Sequence, residues 1–177
     1  MEENPYAKHL DGREAIGILT ATPARLRELL TPLSPEKIDH VPGPRKWSLR
    51  ELMAHLADCE LAFGFRLRQA LPPIGQGVGA PELPNIQPFD QDVWATRYAA
   101  YDFPTSLATF EALRTWNLRL LTTVRPEDRQ HTVTHPERGS ITFWTIVETI
   151  AGHDGHHLRL LEDLLKRDGE EQVPSPS

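Results

Sequence analysis

The sequence predicts an all-α protein, an antiparallel four-helix bundle with a short extra helix and a long loop rich in proline and glycine. Two observations carry this. Four stretches of about twenty residues place apolar side chains at three- and four-residue intervals, the period of a helix with one buried face. Almost nowhere do apolar and polar residues alternate as a half-buried strand requires, and several such helices facing one core are the ingredients of a bundle.

The first helix is expected from Asp11, a candidate N-cap, to Leu30, with Ile16, Leu19, Leu26, Leu29 and Leu30 on its apolar side. Pro23 falls inside it. A mid-helix proline removes a backbone hydrogen bond and crowds the preceding turn, so a kink, or a restart capped by Thr22, is expected there. Pro32 and Pro35 end the element, and Val41-Pro42-Gly43-Pro44 reads as a connector. Ser48 with Glu51 three residues on is a capping box. It opens a second helix whose inner side is Leu52, His55, Leu56, Cys59, Phe63, Leu67 and Ala70. Leu71 to Asp90, with prolines at 72, 73, 81, 84 and 88 and glycines at 75, 77 and 79, reads as a loop of a length that is usually functional. Asp92 to Tyr101 is expected as the short helix, carrying Trp94 and Tyr98. The third long helix opens at Pro104-Thr105-Ser106, with Leu107, Phe110, Leu113, Trp116, Leu120 and Leu121 facing inward. Arg125 to Gly139 reads as a polar connector, in which Thr132-Val133-Thr134 looks strand-like but too short to build a sheet. The last helix follows Gly139-Ser140 and runs to the region of Arg167. Residues 1–168 thus read as a single domain, and 169–177, acidic and then rich in Pro and Ser, as a frayed tail.

A chain of 177 residues is long enough to bury one real core. Its net charge of −6, from 19 basic and 25 acidic residues, weighs against nucleic-acid or anionic-membrane partners, and Arg45-Lys46 is only a pair. One cysteine, Cys59, excludes an intramolecular disulfide. The start Met1-Glu2-Glu3-Asn4-Pro5 is no signal peptide, and no apolar run approaches the roughly 18 residues of a membrane span. A soluble cytoplasmic protein is expected.

The chemistry concentrates in the last helix, whose inner stripe reads Phe143, Ile146, Val147, Ile150, His153, Asp154, His157, Leu160, Leu161 and Leu164. His153 and His157 are one turn apart where Leu or Val would normally stand, with Cβ atoms roughly 5–6 Å apart. Two core histidines and two ligands of one metal both fit that pair, and a third inward imidazole decides between them. His55, on the inner side of the second helix, supplies it. Three neutral imidazoles suit zinc, nickel, iron or copper, with zinc or nickel expected according to supply, and leave at least one coordination position open, whereas structural zinc usually closes its shell with four protein ligands. An open position points to chemistry or to capture of an anionic ligand. Cys59, four residues after His55, lies within reach, but a lone cysteine on an apolar stripe is usually a small core hydrophobe. His131 and His135 would be roughly 13 Å apart if extended, at about 3.3 Å per residue, and read as surface or rim residues. His156 stands about 100° round the helix from His157 and flanks the face. His9 and His40 lie in terminal and connector segments. Asp154, Asp58 and Glu60 are the carboxylates close enough to accept the second ring N–H of a ligand. For Asp58 and Glu60 the competing reading is a solvated face or a pair with Arg66 or Arg68.

These residues carry a family resemblance. Lys46-Trp47-Ser48-Leu49-Arg50-Glu51 followed by His55-Leu56-Ala57-Asp58 resembles the second-helix motif of the DinB/YfiT-like superfamily, and His153-Asp154-Gly155-His156-His157-Leu158 its C-terminal H-D-x-x-H motif. Phe89-Asp90 and Trp94 between them also fit, so the resemblance spans nearly the whole chain. It implies a four-helix bundle with a three-histidine divalent metal site at His55, His153 and His157. It also implies a range of functions: S-transferases using a low-molecular-weight thiol such as bacillithiol, mycothiol or glutathione, isomerases, and proteins labelled metal-dependent hydrolases without a known substrate. The expectation is a metal-dependent enzyme, S-transferase or hydrolase, acting on a small electrophilic molecule. The alternative is a stress-response module that holds metal or ligand without turnover. Because the family often forms dimers, the loop from Leu71 to Asp90 is expected either to cover a pocket or to contact a second subunit.

Overall fold

The computed structural model describes residues 4–44, 46–72 and 85–171. Four long helices form, Ala15–Leu30 (α1), Leu49–Ala70 (α3), Phe103–Leu121 (α5) and Phe143–Glu171 (α6), with short helices Pro35–Asp39 (α2) and Gln91–Ala95 (α4) between them. The capping box is present: Ser48 Oγ accepts from Glu51 N at 3.2 Å, and Glu51 Oε2 accepts from Ser48 N at 2.9 Å. Ser34 caps α2 with Pro35 in its first turn, so that proline starts a helix besides following one. Asp90 and Asp102 cap α4 and α5. Asp11 is not the cap of α1. It sits at φ 51° in a turn with Gly12, and the helix begins after Glu14. No described helix is long and apolar enough to cross a membrane.

The bundle is a closed ring in which α1 packs on α6 and α5, and α3 on α5 and α6. Two apolar layers fill it. One joins Ile18 and Leu19 to Phe63, Leu67, Leu121 and Ile146–Ala151, and the other joins Leu26 and Leu30 to Met53, Leu56, Phe110 and Leu161. Both layers therefore meet α1 and α6 in the same chain direction, and α3 and α5 likewise, while α1–α5 and α3–α6 are antiparallel. A meander of short loops cannot place α5 parallel to its predecessor α3. The connection from Leu71 to Asp102 has to return along the bundle, and it does: Ile86 N donates to Thr134 O at 2.9 Å, and Ala99 O accepts from Arg50 Nη1 near the start of α3 at 2.8 Å. The middle of the expected loop, 73–84, and the end of the expected tail, 172–177, lie outside the described residues.

Three further expectations need correction. The polar connector contains a two-stranded antiparallel sheet, Thr132–His135 (β1) with Gly139–Thr142 (β2), pairing Val133 with Ile141. Its length suffices because one face packs into the core: Val133 is fully buried and Ile141 is 2% exposed. Along α5, Trp116 is 67% exposed, and the inward stripe is Leu107, Phe110, Arg114, Asn117 and Leu121. Pro23 does not restart α1 as a separate helix, which runs unbroken from Ala15 to Leu30, and Thr22 Oγ1 donates to Ile18 O instead of capping.

The last two corrections have one cause. Proline has no N–H to give the carbonyl four residues back, here Leu19 O. Arg114 supplies the missing donor, its Nη1 reaching Leu19 O at 3.0 Å. The same guanidinium binds Glu60 of α3 at 3.0 and 2.7 Å and Asp154 of α6 at 2.6 and 3.1 Å. Asn117 Nδ2 donates to Glu60 Oε1 at 2.8 Å. Burial works against the Arg114 charge, and Asp154 and Glu60 more than offset it, holding its pKa above the ordinary value. Four helices thus meet on one side chain between the two apolar layers. Removing Arg114 leaves two carboxylates buried without a counter-charge. Arg114→Met is expected to lower unfolding stability by roughly 3–5 kcal/mol in urea melts, whereas loss of the exposed Arg27–Glu111 pair in Arg27→Ala leaves the midpoint nearly unchanged.

Candidate metal centre

His55 sits two turns into α3, and His153 and His157 sit one turn apart on α6. The antiparallel α3–α6 contact turns all three into the layer between the apolar clusters, with exposures of 1, 4 and 8%. Their Nε2 atoms form a triangle with edges of 3.3, 3.3 and 3.1 Å. A neutral imidazole nitrogen is either a donor or an acceptor. With two kinds among three corners, at least one edge must set like against like, lone pair on lone pair or N–H on N–H. A cation at the centre satisfies all three at once. A tetrahedral ion with bonds of about 2.0–2.1 Å holds its ligand atoms roughly 3.3 Å apart, which these edges match. The donor set therefore fits one divalent metal.

The surroundings keep the rings neutral, the state in which they can ligate. Burial, with His156 adding to it, lowers the pKa of His55 from 6.5 to about 4. Burial and then His55, His156 and His9 lower that of His157 to about 3, and burial takes His153 well below its usual range. On the far side of His55, Tyr98 Oη lies 3.5 Å from Nδ1, and the Trp47 ring packs at 4.7 Å between centroids. With Nδ1–H directed to Tyr98, the Nε2 lone pair of His55 points into the triangle. The Tyr6 ring meets His153 edge-on at 5.3 Å. Two cavities reach the cluster. One of about 520 Å³ is lined by Trp47, Leu49, Leu52, His157 and Leu160, and one of about 480 Å³ by Tyr6, Cys59, Phe63, Arg66, Arg138 and His153, among others.

The family model described as the DinB superfamily matches residues 18–161. The chain belongs to the DinB superfamily. A relative from Oceanobacillus iheyensis, named as a candidate metal-dependent hydrolase, is 32% identical over 156 residues, spanning 87% of this chain and 86% of that protein. Another so named, from Bacillus cereus, is 25% identical over 146 residues, 82% of this chain and 80% of its own. The structure of YfiT from Bacillus subtilis, described as a candidate metal-dependent hydrolase with an unusual four-helix bundle topology, superposes with a TM-score of 0.76 at 24% identity, covering 88% of this chain and 86% of YfiT.

Other sequence candidates fall differently in this DinB protein. Asp154 and Glu60 direct their oxygens to Arg114, so Glu60 is neither solvated nor paired with Arg66 or Arg68, because the cation comes from α5. Asp58 is half-buried, and burial raises its carboxyl pKa. Cys59 Sγ lies 3.6 Å from His55 Nε2, with burial holding the thiol above its ordinary pKa. His131 and His135 are each 4% exposed, not rim residues, because the sheet carries them inward. The rings of His156 and His9 pack at a tilt, 4.8 Å between centroids, beside the cluster, and His40 is exposed. Sequence reasoning gave the N-terminal segment no part in the site. Its signal is the pair Gly152 and Gly155: a Cβ at either would stand 2.5 or 2.6 Å from the carbonyl oxygen of Tyr6 or His9. Glycine inside a helix costs about 1 kcal/mol against alanine, so two of them one turn apart mark a close backbone approach.

All three cluster pKa values are lower folded than unfolded. As pH falls below 6.5 the unfolded chain takes up protons first, so stability is complete above that pH and declines toward about 4 for His55 and about 3 for His157. Chelator-treated protein is expected to lose more than about 5 °C of melting temperature across this window, with a shallower slope in His55→Gln. A flat profile in differential scanning calorimetry would contradict buried neutral rings.

Proposed function

We propose that this DinB protein is a divalent-metal-dependent enzyme acting on a small electrophilic substrate, with His55, His153 and His157 holding the metal through Nε2. The observation that carries the reading is the Nε2 triangle, whose edges suit a tetrahedral ion and whose rings are neutral and buried. A divalent ion in a three-histidine site supplies Lewis acidity and lowers the pKa of a water or thiol in its open position. Tyr98 would fix the tautomer and tilt of His55, the role that outer partners of ligating histidines generally play. Apolar layers flank the cluster on both sides, and the cavities against His157 and His153 are its openings.

Hydrolysis needs one organic substrate, and thiol transfer needs two. Two separate cavities, one against His157 and one against His153, give a low-molecular-weight thiol and an electrophile each a route to the same centre. This supports thiol transfer, in keeping with the family resemblance, while the names of the relatives support hydrolysis. Cys59 is not the nucleophile in this reading, because burial keeps its thiol protonated. Zinc and nickel both suit the donor set.

Metal analysis of tag-free protein is expected to find about one divalent ion per chain. His55→Ala, His153→Ala and His157→Ala should each lose most of it, while His131→Ala and His135→Ala retain it. Full occupancy in any of the first three would refute the ligand set. Turnover of alkyl or aryl electrophiles is then expected only in the metal-loaded protein, faster with bacillithiol, mycothiol or glutathione present than with water alone. Metal binding without any turnover would make the protein a sequestering module instead.

A further inference from the structure

A buried metal site needs a path by which its ion arrives. The three rings of the triangle are 1, 4 and 8% exposed, and His157 is the most exposed of them. The ring of His156 lies 5.0 Å from that of His157 between centroids, and the ring of His9 lies 4.8 Å from that of His156. Five imidazoles therefore stand each against the next, from the half-buried His9 and His156 through His157 to His153 and His55.

The outer pair has the geometry of the inner ones. Within the triangle the ring pairs are 5.3, 4.9 and 4.4 Å apart and tilted by 49, 61 and 65°. His9 and His156 are 4.8 Å apart and tilted by 59°, inside both ranges. Ring packing alone would also account for that spacing, but it leaves one atom unexplained. Nδ1 of His9 is buried and has no hydrogen-bond partner among the described residues. A buried nitrogen without a partner is costly, and a cation would supply one.

The placement of His9 is built into the backbone. The tight turn Ala7–His9 packs on α6, with His9 N donating to Tyr6 O at 2.9 Å and Leu10 N to Ala7 O at 3.1 Å. Just beyond it, Asp11 pairs with Arg159 of α6. A Cβ at Gly155 would stand 2.6 Å from the His9 carbonyl oxygen, so a side chain in front of His156 would push the two rings apart. Besides His156, the charges that act on His9 are those of Lys8 and Arg159, both positive. They oppose a cation there, and the pair offers two ligands where the triangle offers three. An ion is thus held loosely outside and firmly inside.

We propose that His9 and His156 form a second, weaker site for a divalent cation, and that this site is the port through which the ion reaches the triangle. The outer site stands on residues outside the three-histidine set, while its role as a port rests on the metal-centre reading.

The test titrates zinc into the chelator-stripped full chain by calorimetry and follows loading of the first ion by stopped flow with a zinc-responsive dye. Wild type is expected to take up a second ion more weakly than the first, and only with free zinc in solution. His9→Phe and His156→Phe keep a ring in place and remove its nitrogens. Each is expected to weaken the second ion at least about tenfold, since even the outer partners of metal ligands are worth that much. Each should also slow loading of the first ion several-fold and leave its affinity unchanged, because a port alters entry and exit alike. His40→Phe, in an exposed connector, should change neither. Imidazole nitrogen shifts of wild type, recorded by NMR through the second equivalent, locate the ion without any substitution and decide the matter if a variant fails to fold by circular dichroism. Shifts at His9 and His156 are expected. No second ion in wild type, shifts at neither ring, a second ion that survives in the folded variants, or variants that load as fast as wild type would each overturn the proposal. If substituting His55, His153 and His157 leaves zinc binding unchanged while substituting His9 and His156 reduces it, the metal-centre reading falls and the outer site stands alone. If zinc binds at the triangle and no ion depends on His9 or His156, the outer site falls and the metal-centre reading stands.

Discussion

A guanidinium with 1% of its surface exposed must have its charge answered, and Arg114 has it answered by carboxylates from two other helices, with a carbonyl from a third completing its hydrogen bonds. Each of these bonds tolerates a few tenths of an ångström, far less than the 5.4 Å of a helical turn. The ion cluster therefore fixes how far α3 and α6 slide past one another. Glu60 follows His55 on α3, and Asp154 directly follows His153 on α6. The register that satisfies Arg114 is thus the register that brings three Nε2 atoms within 3.3 Å. Glu60 and Asp154, two of the three carboxylates that sequence reasoning placed beside a metal, act through the alignment of the helices that carry the three histidines.

The layer between the two apolar clusters divides by charge. Toward α1 and α5 it holds a compensated ion group, and toward Tyr98 and Trp47 it holds neutral imidazoles. Beyond His153 it reaches Arg66, whose guanidinium lies over the rings of Phe63 and Phe89. A bundle core normally excludes all of these groups. They persist here because the first group closes on itself and the second suits a cation. The third borders a cavity of about 480 Å³.

Much of this is legible in the amino-acid order, and the failures are physically consistent. Long amphipathic periods place the four helices, Ser48 and Glu51 mark the start of α3, and three histidines stand out because they occupy positions where burial would select Leu or Val. The inner face of α5 is misread because Arg114 and Asn117 look like a solvated side; only the buried Glu60 and Asp154 reveal that they point inward. Pro23 reads as a break for the same reason, since the donor that satisfies Leu19 O lies 95 residues away along the chain. The β1–β2 hairpin escapes a periodicity test because four residues per strand hold two inward positions at most: Val133 and His135 are the buried ones in β1, and Ile141 is the one in β2. The relative direction of α3 and α5 is not written in either helix. It follows from the long connection between them, whose length is visible in the sequence while its path is not.

The pairing of α1 with α6 has a consequence for how the protein is made. These helices are neighbours in space, with the other two long helices between them in sequence. A chain emerging from the ribosome can bring α1, α3 and α5 together early, yet in that state it holds one imidazole of the three and a guanidinium lacking one of its two carboxylates. The apolar faces meant for α6 stay open to other chains until α6 itself has been made. The three-histidine cluster can therefore assemble only after α6 has emerged, and a chain cut before α6 has neither the cluster nor a closed core.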